Sequence, residues 1–157
     1  MNEIFLFIDG SVITKSKIGF GAYLFISDLD APIEKIKEHV KVKRFENTSS
    51  VRLELQNLLW ALSQIPLKVE KIIIYTDSQN IIGLKGRRER LEQNNYYSGS
   101  GKLLKNHELY KEFYKATDNI NCEFIKLQGH KPTNRKIWID NIFTLVDRAS
   151  RNASREN

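Results

Sequence analysis

Two aspartates end apolar stretches of the sequence, where an isolated carboxylate would be costly. Asp9 ends the run IFLFID, on the same alternating face as Phe5 and Phe7. Asp77 ends the run KIIIYTD, on the same face as Ile73. Burying an unbalanced charge costs several kcal/mol, and like charges on neighbouring strands raise the pKa of one of them. A hard divalent cation with oxygen ligands, Mg²⁺ above all, would balance both carboxylates.

A third carboxylate, Glu54, lies in the first turn of a predicted helix. In the segment VRLELQNLLWALSQI the apolar residues recur at helical spacing, and Glu54 falls at the border of the apolar face. This position would allow a contribution to the same cation site, although by itself a glutamate there is more often explained locally. A local interpretation stays open, because the helix dipole also stabilises a glutamate near a helix N-terminus.

The last predicted helix offers two more aspartates. Asp140 and Asp147 share one side of this helix, next to its apolar stripe. At a rise of about 1.5 Å per residue they are about 10 Å apart, so only one of them can join a compact metal cluster. The periodicity does not choose between them.

His130 precedes that helix in the polar loop QGHKPTNRK. A lone histidine in such a loop is usually a surface residue, but this one stands close in sequence to a candidate metal carboxylate. Its reference pKa of about 6.5 would allow a mobile histidine beside a phosphate to move protons during hydrolysis.

The elements that must position these side chains alternate in type along the chain. Three strands in an antiparallel meander are predicted for the segments IFLFIDGS and GFGAYLFIS and for a charged stretch around IKEHVKVKRFE. A helix capped within residues 48–50 and stopped by Pro66 follows, and then the buried strand KIIIYTD. The next helix opens at Ser78 and leads into a basic, turn-rich connection that contains GRRERLEQ and YYSGSGK. The helix NHELYKEFYKAT, the strand CEFIKL and a helix over about residues 137–153 complete the order.

The composition predicts one globular domain. A chain of 157 residues with 41% hydrophobic and 28% charged residues can bury one core, so we expect a single domain over residues 1–157 with a frayed tail at about 154–157. The longest apolar run, residues 4–8, is far too short to span a membrane. We therefore expect a cytoplasmic monomer without membrane contact. Cys122 is the single cysteine, which excludes an internal disulfide and a cysteine-rich zinc site.

The net charge favours a polyanionic partner. The chain has 25 Lys and Arg against 19 Asp and Glu, a formal charge of +6, and the excess is concentrated in residues 85–111 and 131–155. Such a distribution is typical of proteins that bind nucleic acid or acidic lipid surfaces. Taken alone, a charge cluster is more often a solvated face.

In their order along the chain, these motifs resemble the bacterial type 1 ribonuclease H family. The resemblance rests on the five motifs FIDGS, RLEL, YTDSQ, LQGH and VDRASR. It implies an α/β fold of the RNase H type, with a mixed five-stranded sheet whose first three strands are antiparallel, flanked by helices. It also implies endonucleolytic hydrolysis of the RNA strand of RNA·DNA hybrids, which leaves 5′-phosphate and 3′-hydroxyl ends.

The resemblance further implies a catalytic site with two Mg²⁺ ions, for which Mn²⁺ would be a substitute. His130 matches the loop histidine that assists proton transfer and product release. Asp147 is chosen over Asp140 because it stands in the motif VDRASR. Carried over onto this sequence, the four metal ligands are Asp9, Glu54, Asp77 and Asp147.

Contacts to an RNA·DNA hybrid follow from the same resemblance. Gln79 in YTDSQ is a candidate for polar contacts in the minor groove, where 2′-hydroxyls distinguish RNA from DNA. Ser49 and Ser50 stand where asparagines often make such contacts, and Tyr96 and Tyr97 are candidates for stacking or packing. The candidate phosphate-binding residues are Arg87, Arg88, Arg90, Lys102 and Lys105.

Two alternatives keep the fold and change the function. A catalytically silent nucleic-acid-binding module would retain the carboxylates as structural anchors. A DNA-directed nuclease would retain the chemistry on another substrate, because related folds serve DNA nucleases, transposases and resolvases.

Overall fold

The computed structural model describes residues 2–28, 30–66, 68–127 and 134–156, with the side chains of the last segment described from Trp138 onward. The strands are β1 (Glu3–Ile13), β2 (Ile18–Ile26), β3 (Lys41–Phe45), β4 (Lys71–Thr76) and β5 (Cys122–Lys126). The helices are α1 (Ile33–Ile36), α2 (Ser50–Ser63), α3 (Gln79–Gln93), α4 (His107–Asn119) and α5 (Asn134–Glu156).

The five strands form one mixed sheet in the order β3-β2-β1-β4-β5. The pairs β1–β2 and β2–β3 are antiparallel, whereas β1–β4 and β4–β5 are parallel. The predicted antiparallel meander and the mixed five-stranded sheet are therefore confirmed. The central strands β1 and β4 run in the same direction, so their carboxyl-terminal ends meet at one edge of the sheet.

Helices cover both faces of the sheet, because the central strands are apolar on both sides. Leu6, Ile8 and Ile74 lie on one face and pack with α2, α3 and α4. Phe7 and Tyr75 lie on the other face and pack with α5. Their two rings stack with centroids 4.8 Å apart. The sheet edge is therefore accessible to side chains from both helical layers.

The helix α3 is longer than the sequence pattern predicted. It continues through GRRERLEQ to Gln93, where we expected a turn-rich connection. Ile81, Leu84 and Leu91 recur at helical spacing and are buried, so one side of the segment packs into the core. Arg88 follows Leu84 by four residues and so lies near this side, where its side chain reaches Asp118 of α4, whereas Arg90 lies on the opposite side and is exposed. Arginine is itself a good helix former.

The third strand is shorter than predicted. Only Lys41–Phe45 pairs with β2, and the preceding residues form α1 and a 3₁₀ turn over Lys37–His39. Pro32 precedes α1 with a φ of −62°, close to the helical value. Ile36 is buried and anchors this short helix. Only the second half of the predicted segment therefore forms a strand.

The helix α5 is 23 residues long and extends beyond the predicted 137–153 at both ends. Charged and polar residues recur along it, so that its apolar stripe covers one side only. Among the helices of the described ranges, none is long and apolar enough to cross a membrane.

Candidate active site

Asp9 and Asp77 occupy neighbouring positions at one edge of the sheet. Phe7 pairs with Tyr75 in the parallel register of β1 and β4. Asp9 follows Phe7 by two residues, and Asp77 follows Tyr75 by two residues. Both aspartates therefore lie side by side on the same face of the sheet. Two separate stretches of chain therefore deliver carboxylates to one place.

The helix α2 brings Glu54 to the same edge from the opposite face of the sheet. The hydroxyl of Ser78 donates a hydrogen bond of 2.5 Å to Oε2 of Glu54. The same hydroxyl oxygen accepts a hydrogen bond from the amide of Ile81 as the N-cap of α3. Ser78 is only 5% exposed, so packing determines its position. The Glu54 carboxylate is thereby anchored beside Asp77.

The helix α5 supplies Asp147 from the face that carries Phe7 and Tyr75. Asp147 lies close enough to Asp9 for the two carboxyl groups to interact, and this interaction raises the pKa of Asp9. Asp140 lies two turns earlier on α5, which places it about 10 Å further along the helix axis. The structure thus brings Asp147, and not Asp140, to the other carboxylates.

The pKa values of Asp9 and Glu54 are raised by their surroundings. Burial, the close approach of the Asp147 carboxyl group and the negative charge of Asp77 raise the pKa of Asp9 to about 8. Burial raises the pKa of Glu54 as well, and the charge of Asp77 adds to this effect. The hydrogen bond from Ser78 acts in the opposite direction, because it stabilises the ionised carboxylate of Glu54.

Asp77 experiences both repulsive and attractive charges. Desolvation of its carboxyl group and the charge of Asp147 raise its pKa, whereas Arg151 and Lys126 lower it. Arg151 also forms an ion pair with Asp147, with Nε 3.0 Å from Oδ1. The two cations do not outweigh the effect of burial, and the net shift of the Asp77 pKa is upward.

An open cavity of about 180 Å³ lies against three of these carboxylates. Asp9, Glu54 and Asp77 line it, together with Ser50 and Asn57 of α2. The acidic groups therefore face a space that a ligand can enter from solvent.

Sequence comparison assigns the chain that carries these carboxylates to one family. A sequence model described as RNase H matches residues 1–154 of the chain. The chain belongs to the RNase H family.

Relatives of this RNase H family member carry the name Ribonuclease H. One from Thermoanaerobacter sp. (strain X514) is 28% identical over 103 residues, which cover 63% of this chain and 64% of that protein. One from Caldanaerobacter subterraneus subsp. tengcongensis is 27% identical over 103 residues, which cover 63% of this chain and 65% of that protein. The chain therefore spans less than two thirds of the length of these relatives.

A solved structure supports the fold of this RNase H chain. The foamy viral protease-reverse transcriptase, determined in complex with dsDNA, has a TM-score of 0.69 and covers 94% of this chain and 93% of its own. The sequences are 15% identical, so the similarity concerns the fold alone. The RNase H-like α/β fold expected from the sequence is confirmed.

The carboxylates of this RNase H chain fit hard divalent cations by their chemistry. Oxygen ligands of this type suit Mg²⁺. Burial in the first place, and the charges of neighbouring carboxylates in addition, raise the pKa values of Asp9, Glu54 and Asp77, so a bound cation would stabilise their ionised forms. Within the described residues, no three acidic, histidine or cysteine side chains already form a group that could hold one metal ion. Hydrogen bonds and the ion pair with Arg151 instead occupy carboxylate oxygens that a cation would take.

Two predicted substrate-binding residues lie beside the carboxylates. Ser50 is the first residue of α2 and lines the cavity. Gln79 is the exposed first residue of α3, and its Oε1 accepts a hydrogen bond of 2.6 Å from Nζ of Lys126. His130, the predicted proton-transfer residue of this RNase H chain, lies outside the described residues.

Two of the three predicted phosphate-binding arginines on α3 make contacts within the protein. The guanidinium group of Arg87 lies over the ring of Tyr110. Arg88 donates hydrogen bonds of 2.6 and 2.8 Å to the two carboxylate oxygens of Asp118. Both side chains therefore hold α3 against α4, whereas Arg90 is exposed.

The loop between α3 and α4 presents Lys102 and Lys105 to solvent. Tyr97 is 49% exposed and pairs with Leu103 through an isolated antiparallel bridge. Tyr96 is only 7% exposed and packs into the core. Of the two tyrosines, Tyr97 alone is accessible for stacking on a ligand.

Three polar residues near the carboxylates were not assigned to the site from the sequence. Ser78 was recognised as the start of a helix, and its contact with Glu54 depends on tertiary packing. Arg151 follows Asp147 by four residues, which is the spacing of a helical ion pair. Lys126 ends a strand parallel to β4, so the argument that placed the aspartates at strand ends applies to it as well.

Proposed function

We propose that this chain is an endoribonuclease that hydrolyses the RNA strand of RNA·DNA hybrids and leaves 5′-phosphate and 3′-hydroxyl ends. The observation that carries the proposal is the convergence of four carboxylates, from β1, α2, α5 and the end of β4, at one open edge of the sheet. Membership of the RNase H family supports the reaction class. The relatives named Ribonuclease H support the substrate class.

Asp9, Glu54, Asp77 and Asp147 would hold two Mg²⁺ ions, for which Mn²⁺ is a substitute. The chemistry that such bound ions supply is a lowered pKa of water and neutralisation of charge on the leaving oxygen. The chain itself contributes the concentration of negative charge that makes cation uptake favourable. In addition, Ser78 anchors Glu54 and so limits the positions that its carboxylate can take.

His130 would transfer a proton at the reacting phosphate. It belongs to the connection between β5 and α5, and β5 lies next to β4, which leads into Asp77. A histidine with a pKa of about 6.5 is present in both protonation states near neutral pH, as proton transfer requires.

Hybrid binding would combine polar contacts near the carboxylates with basic groups further along α3. Ser50 lines the cavity and Gln79 opens α3, so a hydroxyl and an amide are available to 2′-hydroxyls in the minor groove. The basic side chains for the phosphates of the other strand are Arg90, Lys102 and Lys105, with Arg87 and Arg88 in a secondary role.

A panel of labelled substrates tests the proposal. The panel comprises an RNA·DNA hybrid, double-stranded RNA, double-stranded DNA and branched DNA, each assayed with Mg²⁺ and with Mn²⁺. We expect internal cuts in the RNA strand of the hybrid only. Asp77→Asn should bind the hybrid without cutting it. Asp140→Asn removes a charge two turns away from the carboxylates and should cut as the wild type does.

The other outcomes identify the alternatives. Preferential cutting of DNA would indicate a DNA-directed nuclease on the same fold. Binding of the hybrid with no cleavage of any substrate in either cation would overturn the proposal in favour of a catalytically silent binding module.

A further inference from the structure

Asn57 lies buried between the helix that carries Glu54 and the strand that carries Asp9. It is 2% exposed. Its side-chain Nδ2 donates a hydrogen bond of 3.0 Å to the carbonyl oxygen of Asp9 and one of 2.9 Å to that of Ala22. Asp9 and Ala22 are partners in the antiparallel register of β1 and β2. One side chain of α2 therefore bridges both strands at the position of Asp9.

Glycines on the two strands make this close contact possible. A Cβ atom on Gly21 would lie 2.4 Å from Oδ1 of Asn57, and one on its partner Gly10 would lie 2.9 Å from Cδ2 of Leu53. A side chain at Gly21 would displace Asn57 down to its Cβ atom, and one at Gly10 would displace the end of the Leu53 side chain. The helix is thus closest to β1 and β2 around the turn that contains Glu54.

An amide side chain at this position is not explained by packing alone. Burying an amide is costly unless its polar atoms are hydrogen-bonded. Both hydrogen bonds of Asn57 come from Nδ2, and within the described part of the chain Oδ1 has no hydrogen-bond partner. Leu55 and Leu58 of the same helix already pack it against the core. The specific contribution of Asn57 is therefore the donation to two backbone carbonyls.

We propose that Asn57 is a positioning residue that sets the spacing between Glu54 and Asp9 and thereby the cation affinity of the carboxylates. Glu54 and Asn57 are three residues apart on α2, so they lie on the same side of the helix. The bond from Asn57 holds the main chain of Asp9, from which the Asp9 carboxyl group projects. This inference rests on the proposed function, because it assumes that the carboxylates bind divalent cations.

Cation binding by the protein alone tests this role. Mg²⁺ and Mn²⁺ titrations without nucleic acid, followed by calorimetry and by the shift of Tm, would compare the wild type with Asn57→Ala and Asn57→Ser. Loss of groups that orient metal ligands typically weakens binding 10- to 100-fold, so we expect Asn57→Ala to bind about tenfold more weakly. Serine retains one shorter donor, and Asn57→Ser should be intermediate.

Leu62→Ala is the matched control, because it removes a buried side chain from the same helix without a contact to the Asp9 carbonyl. It should lower Tm while cation affinity stays within about twofold of the wild type. Hybrid cleavage supplies a second readout. The Mg²⁺ concentration for half-maximal rate should rise in Asn57→Ala, and KM for the hybrid should not.

The outcomes separate this inference from the proposed function. Cation affinity in the Asn57 variants equal to that of Leu62→Ala would overturn the role of Asn57. If Asn57→Ala does not fold, the cation affinity of Asn57→Ser is compared with that of Leu62→Ala instead. A wild-type protein that binds no divalent cation and cuts no hybrid would overturn the proposed function itself.

Discussion

Arg151 and Asp147 form an ion pair one turn apart on α5, with the guanidinium Nε 3.0 Å from a carboxylate oxygen. The arginine also lowers the pKa of Asp77. It therefore supplies part of the positive charge that the carboxylates lack. A divalent cation at this site would compete with Arg151 for Asp147.

Arg151→Gln should strengthen divalent-cation binding by the protein alone. An exposed helical ion pair is worth about 0.3–0.5 kcal/mol, which corresponds to an affinity about twofold higher once the competitor is removed. Calorimetric Mg²⁺ titration without nucleic acid measures this effect. Arg155→Gln makes the same charge change on the exposed last turn of α5 and should bind as the wild type does. Weaker binding by Arg151→Gln would contradict the competition.

The raised pKa of Asp9 predicts that the cation-free protein loses stability as the pH rises. A carboxyl group with a folded-state pKa of about 8 favours folding in its protonated form. This contribution is fully present below the unfolded-state pKa of about 3.9 and is lost as the pH rises through the folded-state value. Asp9→Asn cannot ionise and should melt about 5 °C above the wild type at about pH 9 without divalent cations.

Thermal melts of the same two proteins at about pH 5 provide the comparison. There the wild-type Asp9 is largely protonated, so the difference in Tm between the variant and the wild type should shrink. Asp9→Asn should be inactive at either pH. A variant that melts below the wild type at high pH in a chelator would disprove this account of Asp9.

Ser78→Ala should reduce both stability and cation affinity. Loss of an N-cap costs about 1 kcal/mol, and loss of the hydroxyl donor also frees Glu54. Ser49→Ala removes the N-cap of α2, where the Ser49 side chain accepts a hydrogen bond from Arg52. Denaturant unfolding should show similar losses for both variants, whereas the Mg²⁺ requirement for cleavage should rise only in Ser78→Ala. An equal Mg²⁺ requirement in both would remove Ser78 from the site.

Asp147→Asn and Asp140→Asn should differ strongly in activity. Asp147 contacts Asp9, so its neutralisation should reduce kcat by about 100-fold or more. Asp140 lies two turns away, and its neutralisation should change kcat by no more than about twofold. Single-turnover cleavage of a hybrid measures both. The opposite ranking would mean that α5 contributes Asp140 to the reaction.

The salt dependence of hybrid binding should separate free basic side chains from those used within the protein. Neutralising Arg90, Lys102 and Lys105 should flatten the dependence of log affinity on log salt by roughly 0.7–0.9 for each phosphate that the protein no longer neutralises. Arg88→Gln should change the slope less, because Arg88 is already bound to Asp118. A larger effect of Arg88→Gln than of Arg90→Gln would show that hybrid binding breaks the pair with Asp118.

Local periodicity explains why some elements were predicted correctly from the sequence and why others were not. The continuous apolar runs before Asp9 and Asp77 are long enough to define buried strands. In GRRERLEQ the only buried residue is Leu91, seven residues after Leu84. A short window therefore shows a single apolar residue among polar ones, and the helical signal appears only over the whole of α3.

By itself, the sequence determined which acidic residues lie at strand ends and near a helix start, because the repeat of the backbone sets the direction of each side chain along its own element. Only the tertiary structure decided that Asp147 joins Asp9, because the position of α5 on the sheet selects one turn of that helix. It likewise decided that Arg88 is paired with Asp118, 30 residues away. Contacts at such separations depend on how elements pack against one another, which no local spacing of residues encodes.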